Sequence, residues 1–99
     1  MKSIVTAQPG YRVLDRNMVD GLDRAQFEHR AFPIIAWLID TTMANSDDRQ
    51  TVTPITTNGL CPHGVIIHPD GRVRTSDDEI SWSCVDAFID DMASGKWRL

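Results

Sequence analysis

Four side chains in the second half of the chain are of the types that bind zinc. They are Cys61, His63, His68 and Cys84. Thiolate and imidazole groups suit a tetrahedral zinc site, and the Cys-Pro-His segment brings two of them close together. An extended backbone over residues 61–68 would place Cys61 and His63 on one face with Val65 and Ile67, and His68 on the other. Because this spacing also matches no established zinc pattern, we expect no metal and no cofactor. A zinc site remains the alternative.

Cys84 is also the strongest candidate nucleophile. It falls in the first turn of a predicted final helix, where the helix dipole lowers the pKa of a thiol, and His29, His63 or His68 could act as the base. The acidic residues around Cys84 oppose this role, because negative charge favours the thiol over the thiolate. The sequence also lacks a Gly-x-Ser-x-Gly elbow, a phosphate-binding glycine loop and a His-Glu-x-x-His helix. We therefore predict that the protein is not an enzyme.

The acidic residues of the second half form a cluster without a single Lys or Arg among them. The cluster consists of Asp77, Asp78, Glu79, Asp86, Asp90 and Asp91. Such a surface favours a basic protein partner, although carboxylates that only keep a surface soluble are the alternative. In the last turn of a helix, Asp90 and Asp91 would be disfavoured by the helix dipole by about 0.3–1 kcal/mol each. We predict that these six residues form a protein-binding surface.

Nucleic-acid binding has weaker support. Arg72 and Arg74 share one face of a predicted strand, and Lys96 and Arg98 flank Trp97, which could stack on a base. Four cations in a chain with a net charge of −4 do not make the basic patch on which such affinity depends. We therefore expect no nucleic-acid partner.

The composition fits one small globular domain. The chain has 99 residues, of which 41% are hydrophobic and 24% are charged. The longest apolar run, residues 34–39, is too short to cross a bilayer, and the first ten residues lack the apolar stretch of a secretion signal. These features predict a cytoplasmic protein with reduced cysteines and no membrane partner.

Turn sequences predict hairpins. Gln8-Pro9-Gly10-Tyr11 suits a type II turn that would pair residues 4–7 with residues 11–14 as a first hairpin. Asn58-Gly59 would join strands at residues 51–57 and 60–68. The turn at residues 68–72, His-Pro-Asp-Gly-Arg, would then lead into a strand at residues 72–74. Together these last two turns predict a three-stranded meander.

Two segments predict helices. Residues 20–30 form a short helix or irregular arm that Asp23 could cap with Gln26 three positions later. Pro33 argues against one helix through residues 23–43 and is predicted to open a buried strand at residues 33–39. Residues 45–49 are a polar connection.

The final helix carries an apolar stripe, with Ser81 as its cap and Gly95 at its end. The stripe consists of Trp82, Val85, Phe88, Ile89 and Met92.

Four short blocks occur in a recognisable order: AQPGYRVL at residues 7–14, PIIAWLI at 33–39, VTPI at 52–55 and PDGRV at 69–73. In this order they resemble small uncharacterised proteins encoded by phages and prophages. The resemblance covers about a third of the chain. It implies a phage or prophage origin and a strand at residues 33–39, and it implies no activity.

These observations predict an α+β domain. Its expected parts are a twisted antiparallel sheet of about five or six strands built from hairpins, a short helical arm, and a C-terminal amphipathic helix packed on the sheet. The predicted function is that of a small non-enzymatic, phage-type accessory protein that binds another protein through the acidic face of its last helix. A small zinc-dependent or nucleic-acid-associated regulator is the alternative.

Overall fold

The computed structural model describes residues 2–18, 22–44, 47–76 and 80–95. The strands are β1 (Lys2–Thr6), β2 (Arg12–Asp15), β3 (Phe32–Pro33), β4 (Ala36–Ala44), β5 (Asp47–Thr56), β6 (Gly59–Leu60), β7 (Gly64–Ile67), β8 (Val73–Thr75) and β9 (Ser81–Trp82). The helices are α1 (Arg24–Arg30) and α2 (Val85–Ser94), and a 3₁₀ turn covers Arg16–Met18. The predicted α+β class is confirmed.

The strands form two antiparallel sheets instead of one. In the first sheet the order is β1-β4-β5-β6, and in the second it is β3-β2-β7-β8-β9. The second sheet is covered on both faces, which explains why every residue of β7 is buried. Its two faces contribute to two separate hydrophobic cores.

The first core lies between the second sheet and the two helices. It contains Leu14, Leu22, Phe27, Ala31, Val65, Ile67, Val73, Trp82, Val85 and Phe88. The second core uses the alternate residues of the same strands, Val13 and Ile66, together with Ile34 and Cys61. Trp37 of the first sheet packs against this second core. The molecule is therefore built as helices, second sheet and first sheet, in that order.

Three helix ends are predicted from the sequence, and two of these predictions are confirmed. Asp23 caps α1 by accepting a 2.8 Å hydrogen bond from the backbone N–H of Gln26, as predicted. The end of α2 at Gly95, which has a φ of 73°, is also confirmed. The predicted cap of α2 is wrong, because Ser81 pairs in β9 and Cys84 occupies the N-cap position without a side-chain bond. Trp82 likewise belongs to β9, and it still packs in the same core as Phe88.

The predicted first hairpin is wrong. β1 pairs with β4 in the first sheet, whereas β2 pairs with β3 and β7 in the second. The turn around Gly10 therefore carries the chain from one sheet to the other. Turn chemistry specifies a local reversal but not which strand the returning chain will pair with.

The predicted strand at residues 33–39 is broken. Pro33 ends β3 in the second sheet, and β4 begins at Ala36 in the first sheet, so the chain changes sheets at Ile34 and Ile35. Ile34 is buried, but Ile35 is 48% exposed, so the prediction of a continuous buried strand was wrong. The predicted polar connection at residues 45–49 is shorter than expected, because Asp47 already pairs with Ala44.

The predicted three-stranded meander is also divided between the sheets. The turn after β5 forms, with Gly59 at a φ of 106°, but its return strand β6 has only two residues. β7 then joins the second sheet and pairs with β2. The next turn is confirmed: Gly71 has a φ of 94° and β7 pairs with β8 in a hairpin.

Candidate functional site: a cleft beside an edge strand

β1 is the outermost strand of the first sheet, and its five residues are all exposed. The backbone N–H of Ala7 donates to the carbonyl of Ile35 across the β1–β4 ladder. Because backbone groups in an antiparallel ladder alternate in direction, Ser3 and Val5 also face β4. The N–H and C=O groups of Lys2, Ile4 and Thr6 therefore point outward. Within the described residues, no strand pairs with this outer edge.

A cleft of about 380 Å³ opens beside β1, between the first sheet and the β7–β8 hairpin. Its lining residues are Val5, Thr6, Gln8, Tyr11, Trp37, His68 and Arg74. Val5 and Trp37 are direct cross-strand neighbours, so their side chains share the face of the first sheet that borders the cleft. None of these seven described lining residues is acidic.

Two perpendicular aromatic rings form one corner of the cleft. The centroids of Tyr11 and Trp37 are 5.4 Å apart and their planes meet at 84°. The imidazole of His68 lies 5.2 Å from the Tyr11 ring on the other side. Edge-to-face contacts of this kind are favourable and fix ring orientation. Tyr11 and Trp37 therefore offer a preformed apolar surface in the lining of an open cleft.

Arg74 is the cationic residue among the described residues that line the cleft. Nε of Arg74 donates to Nε2 of His68 at 3.0 Å, and Nη1 donates to the carbonyl of Thr75 at 3.3 Å. Nη2 of Arg72 lies 3.4 Å from the other ring nitrogen of His68. The ion pairs formed by described residues are Arg12 with Glu28 and Arg24 with Asp86, so neither Arg72 nor Arg74 is neutralised there. The cleft carries positive charge in a protein that is acidic overall.

Two turns that adjoin cleft residues in the sequence contact one another. A Cβ atom on Gly10 would lie 3.0 Å from Cβ of Pro69, and Gly10 has a φ of 100°. Only glycine combines this backbone conformation with such a close approach. The contact holds the turn before Tyr11 against the turn that follows His68, and both of these residues line the cleft.

Apolar side chains are exposed mainly on the first sheet. Most of the large apolar residues that are exposed in the described part of the chain lie on this sheet or directly before β4. They are Ile4 (69%), Leu60 (56%), Ile35, Val5 and Val52. Ile4 shares the outer face with Leu38, its partner in β4. Neither hydrophobic core contains a residue from this outer face.

Two of the six residues of the predicted acidic binding surface have partners within the fold. Asp86 forms an ion pair with Arg24 of α1, and Oδ2 of Asp91 accepts a 2.8 Å hydrogen bond from the indole N–H of Trp82. Asp90 is exposed. Asp77, Asp78 and Glu79 lie outside the described residues. Intramolecular partners therefore reduce the charge that α2 offers to another protein, and the binding role of this surface stays a prediction.

The candidate zinc ligands have different environments. Cys61 is buried, and its Sγ donates to Oδ2 of Asp15 at 3.6 Å. Burial, together with the charge of Asp15 and this hydrogen bond, raises the pKa of the Cys61 thiol from 9.0 to about 11. His63 and Cys84 are exposed, whereas His68 faces the cleft. Within the described ranges, no three His, Cys, Asp or Glu side chains come together as a metal site would require.

The predicted faces near Cys61 need one correction. Cys61 packs in the second core with Ile66, not with Val65 and Ile67, because β7 starts only at Gly64 and residues 61–63 do not continue its alternation. His29, one of the possible bases, is exposed on α1. The cationic segment at residues 96–98 lies outside the described residues.

Sequence reasoning missed the cleft itself. Tyr11, Trp37 and Gln8 carry no motif, and they come together only because two sheets meet. The one local signal was the pair Arg72 and Arg74, whose shared face was predicted and which lie on either side of His68 in the structure.

The sequence matches no protein-family model and no curated protein, and the fold matches no solved structure. No helix in the described part of the chain is long and apolar enough to span a membrane. The phage or prophage origin implied by the resemblance therefore stays a prediction.

Proposed function

We propose that this chain is a non-enzymatic protein-binding domain that accepts an extended segment of another protein as an additional strand on β1. The observation that carries the proposal is the outer edge of β1, where the backbone groups of Lys2, Ile4 and Thr6 face away from the sheet. Extended segments commonly bind to such edges through main-chain hydrogen bonds, while pockets beside the edge select alternate side chains. The cleft beside Val5 supplies a pocket of this kind.

The composition of β1 supports this use. Edge strands that must stay unpaired are commonly short and are protected by charged side chains, proline, a bulge or a cover. β1 contains no proline, pairs with β4 in continuous register, and has Lys2 as its single charged residue. Its central residue, Ile4, is 69% exposed. An added strand would bury this side chain and would also form hydrogen bonds with the outward backbone groups. Apolar burial and hydrogen bonding would therefore both favour binding.

Protein binding was also the function predicted from the sequence, but the proposed contact surface is the edge of β1 instead of the acidic face of α2. A non-catalytic binding role agrees with the accessory function predicted from the sequence, whereas the resemblance to phage proteins implies no activity. The acidic face of α2 is a second, weaker candidate surface, because Asp86 and Asp91 already have partners within the fold.

A proline substitution tests the proposal directly. Ile4→Pro removes an outward N–H while leaving the bonds of Ser3 and Val5 to β4 in place, so we expect the fold to persist. The matched control is Ile4→Thr, which keeps the N–H and the β-branched shape. The probe is a library of nine-residue peptides, acetylated and amidated, in which Val or Thr alternates with a random residue. Circular dichroism and thermal melting report on folding.

We expect selected peptides to bind the wild type and Ile4→Thr, and to bind Ile4→Pro at least about 10-fold more weakly, which corresponds to about 1.4 kcal/mol. Thr6→Pro removes the next outward N–H and serves as a second variant if Ile4→Pro does not fold. Equal binding to the folded proline variants, or no binding of any library member to the wild type, would overturn the proposal. So would a dimer of the wild type that Ile4→Pro abolishes, since the edge would then be occupied by a second copy.

A further inference from the structure

We infer that the segment bound on β1 is acidic, and that it directs a carboxylate side chain into the cleft toward Arg74. This inference rests on the proposed function and identifies the chemistry of the partner. It follows from three features of the described residues: which side chains share a face, where positive charge is unneutralised, and how the guanidinium is held.

The register of β1 determines which partner side chains enter the cleft. In an added strand, the residue opposite Ile4 exchanges backbone hydrogen bonds and directs its side chain to the outer face of the first sheet. The residue opposite Val5 shares the face of Val5 and Trp37, and these two side chains line the cleft. Strands in a sheet lie about 4.8 Å apart, so this residue is an immediate neighbour of Val5. The partner side chain opposite Val5 is therefore the one that the register directs toward the cleft.

The charge of the cleft selects an acidic side chain. Arg74 lines it, Arg72 lies beside it against His68, and neither has a carboxylate partner among the described residues. Among the residues that the structure describes, no Asp or Glu lines the cleft. A cationic side chain would therefore meet like charge here, whereas a carboxylate would complement it.

The guanidinium of Arg74 is held in place before any ligand binds. Nε is bonded to His68 and Nη1 to the carbonyl of Thr75, which leaves Nη2 as the nitrogen without a hydrogen bond to the described residues. A donor oriented in advance loses little entropy when it receives a carboxylate. The methylene groups of the acidic side chain would pack on the corner formed by Tyr11 and Trp37.

The test uses peptides selected on wild-type protein at 50 mM NaCl. We expect Asp or Glu to be enriched at the random positions that face the cleft. For one such peptide, affinity is measured by isothermal titration calorimetry with its acidic residue intact and replaced by Gln or Asn. Both forms are titrated into wild type, Arg74→Gln, Arg74→Lys and the matched control Arg72→Gln, whose side chain lies outside the cleft lining.

We expect neutralising the peptide to weaken binding to the wild type and to Arg72→Gln about 10-fold, and to Arg74→Gln less than about 2-fold. In Arg74→Lys, which keeps the positive charge, neutralising the peptide should weaken binding by a factor between these two values. Equal losses on Arg74→Gln and wild type, or no acidic enrichment, would overturn this inference, and the proposed strand addition would stand if binding still depended on the N–H of Ile4. Binding of a short oligothymidine that depends on Arg74, with no peptide bound, would overturn both proposals.

Discussion

At the residue scale, Asp90 and Asp91 are adjacent carboxylates of α2 that have different roles. Their positions in the sequence had placed both in the same predicted binding surface. Asp91 accepts a partly buried hydrogen bond from Trp82, whereas Asp90 is exposed. We expect Asp91→Ala to lower the free energy of unfolding by about 1–2 kcal/mol, because it removes a charge-assisted hydrogen bond. Asp90→Ala should change it by less than about 0.5 kcal/mol. Urea unfolding of the two variants measures the difference.

Both substitutions bring the same gain in helix propensity, so their difference isolates the hydrogen bond to Trp82. Equal stability of the two variants would contradict this role for Asp91. If the helix dipole were the main influence on both carboxylates, neutralising the two together would leave the free energy of unfolding unchanged or raise it slightly.

The two cysteines should react at very different rates. Cys61 is buried with a pKa of about 11, raised first by burial and then by the charge of Asp15, whereas Cys84 is exposed. Since the thiolate is the reactive form, iodoacetamide at pH 8 should modify Cys84 while Cys61 stays largely unmodified. Mass spectrometry over time measures both rates. In the Cys84→Ser control, the fast phase should be absent, and a fast phase that persists would contradict the assignment.

The same thiol makes stability depend on pH. The pKa of Cys61 is higher in the folded protein than its ordinary value of 9.0, so the unfolded chain loses this proton first as the pH rises. The contribution of this group to stability should therefore be fully present below about pH 9 and should be lost as the pH rises toward 11. Cys61→Ala should remove this component from the alkaline unfolding profile, and an unchanged profile would contradict it.

At the element scale, the passage between β3 and β4 explains where sequence reasoning fails. Ile34 is 5% exposed in the second core, whereas Ile35 is 48% exposed where the chain enters the first sheet. Ile34→Ala should lower the free energy of unfolding by about 2–5 kcal/mol, and Ile35→Ala by less than about 1 kcal/mol. Chemical denaturation of both variants tests this. A larger loss in Ile35→Ala would mean that the chain changes sheets elsewhere.

Local signals predicted the elements that depend on neighbouring residues. The Asp23 cap, Gly95 at the end of α2 and the turn at Gly71 each form where the sequence indicates. Strand pairing was not predictable in this way, because it depends on contacts between distant residues. The clearest example is β1, whose residues pair with β4 residues 30 to 38 positions later rather than with β2 across the Gly10 turn.

At the scale of the whole molecule, the layer order determines where binding can occur. The second sheet packs against the helices on one face and against the first sheet on the other, so all four residues of its strand β7 are buried. The first sheet keeps an outer face and the edge of β1 exposed. The cleft lies where these two sheets meet, so its residues extend from Val5 to Arg74 along the chain. No short motif could have predicted such a site.

Backbone amide exchange tests strand addition on β1 most directly. In the free protein, NMR should show fast exchange at Ile4 and Thr6, whose N–H groups face outward, and slower exchange at Ser3 and Val5, which are bonded to β4. With saturating peptide from the library, Ile4 and Thr6 should become at least about 10-fold slower, whereas Ser3 and Val5 change little. Unchanged exchange at Ile4 and Thr6 with the peptide bound would contradict the proposal.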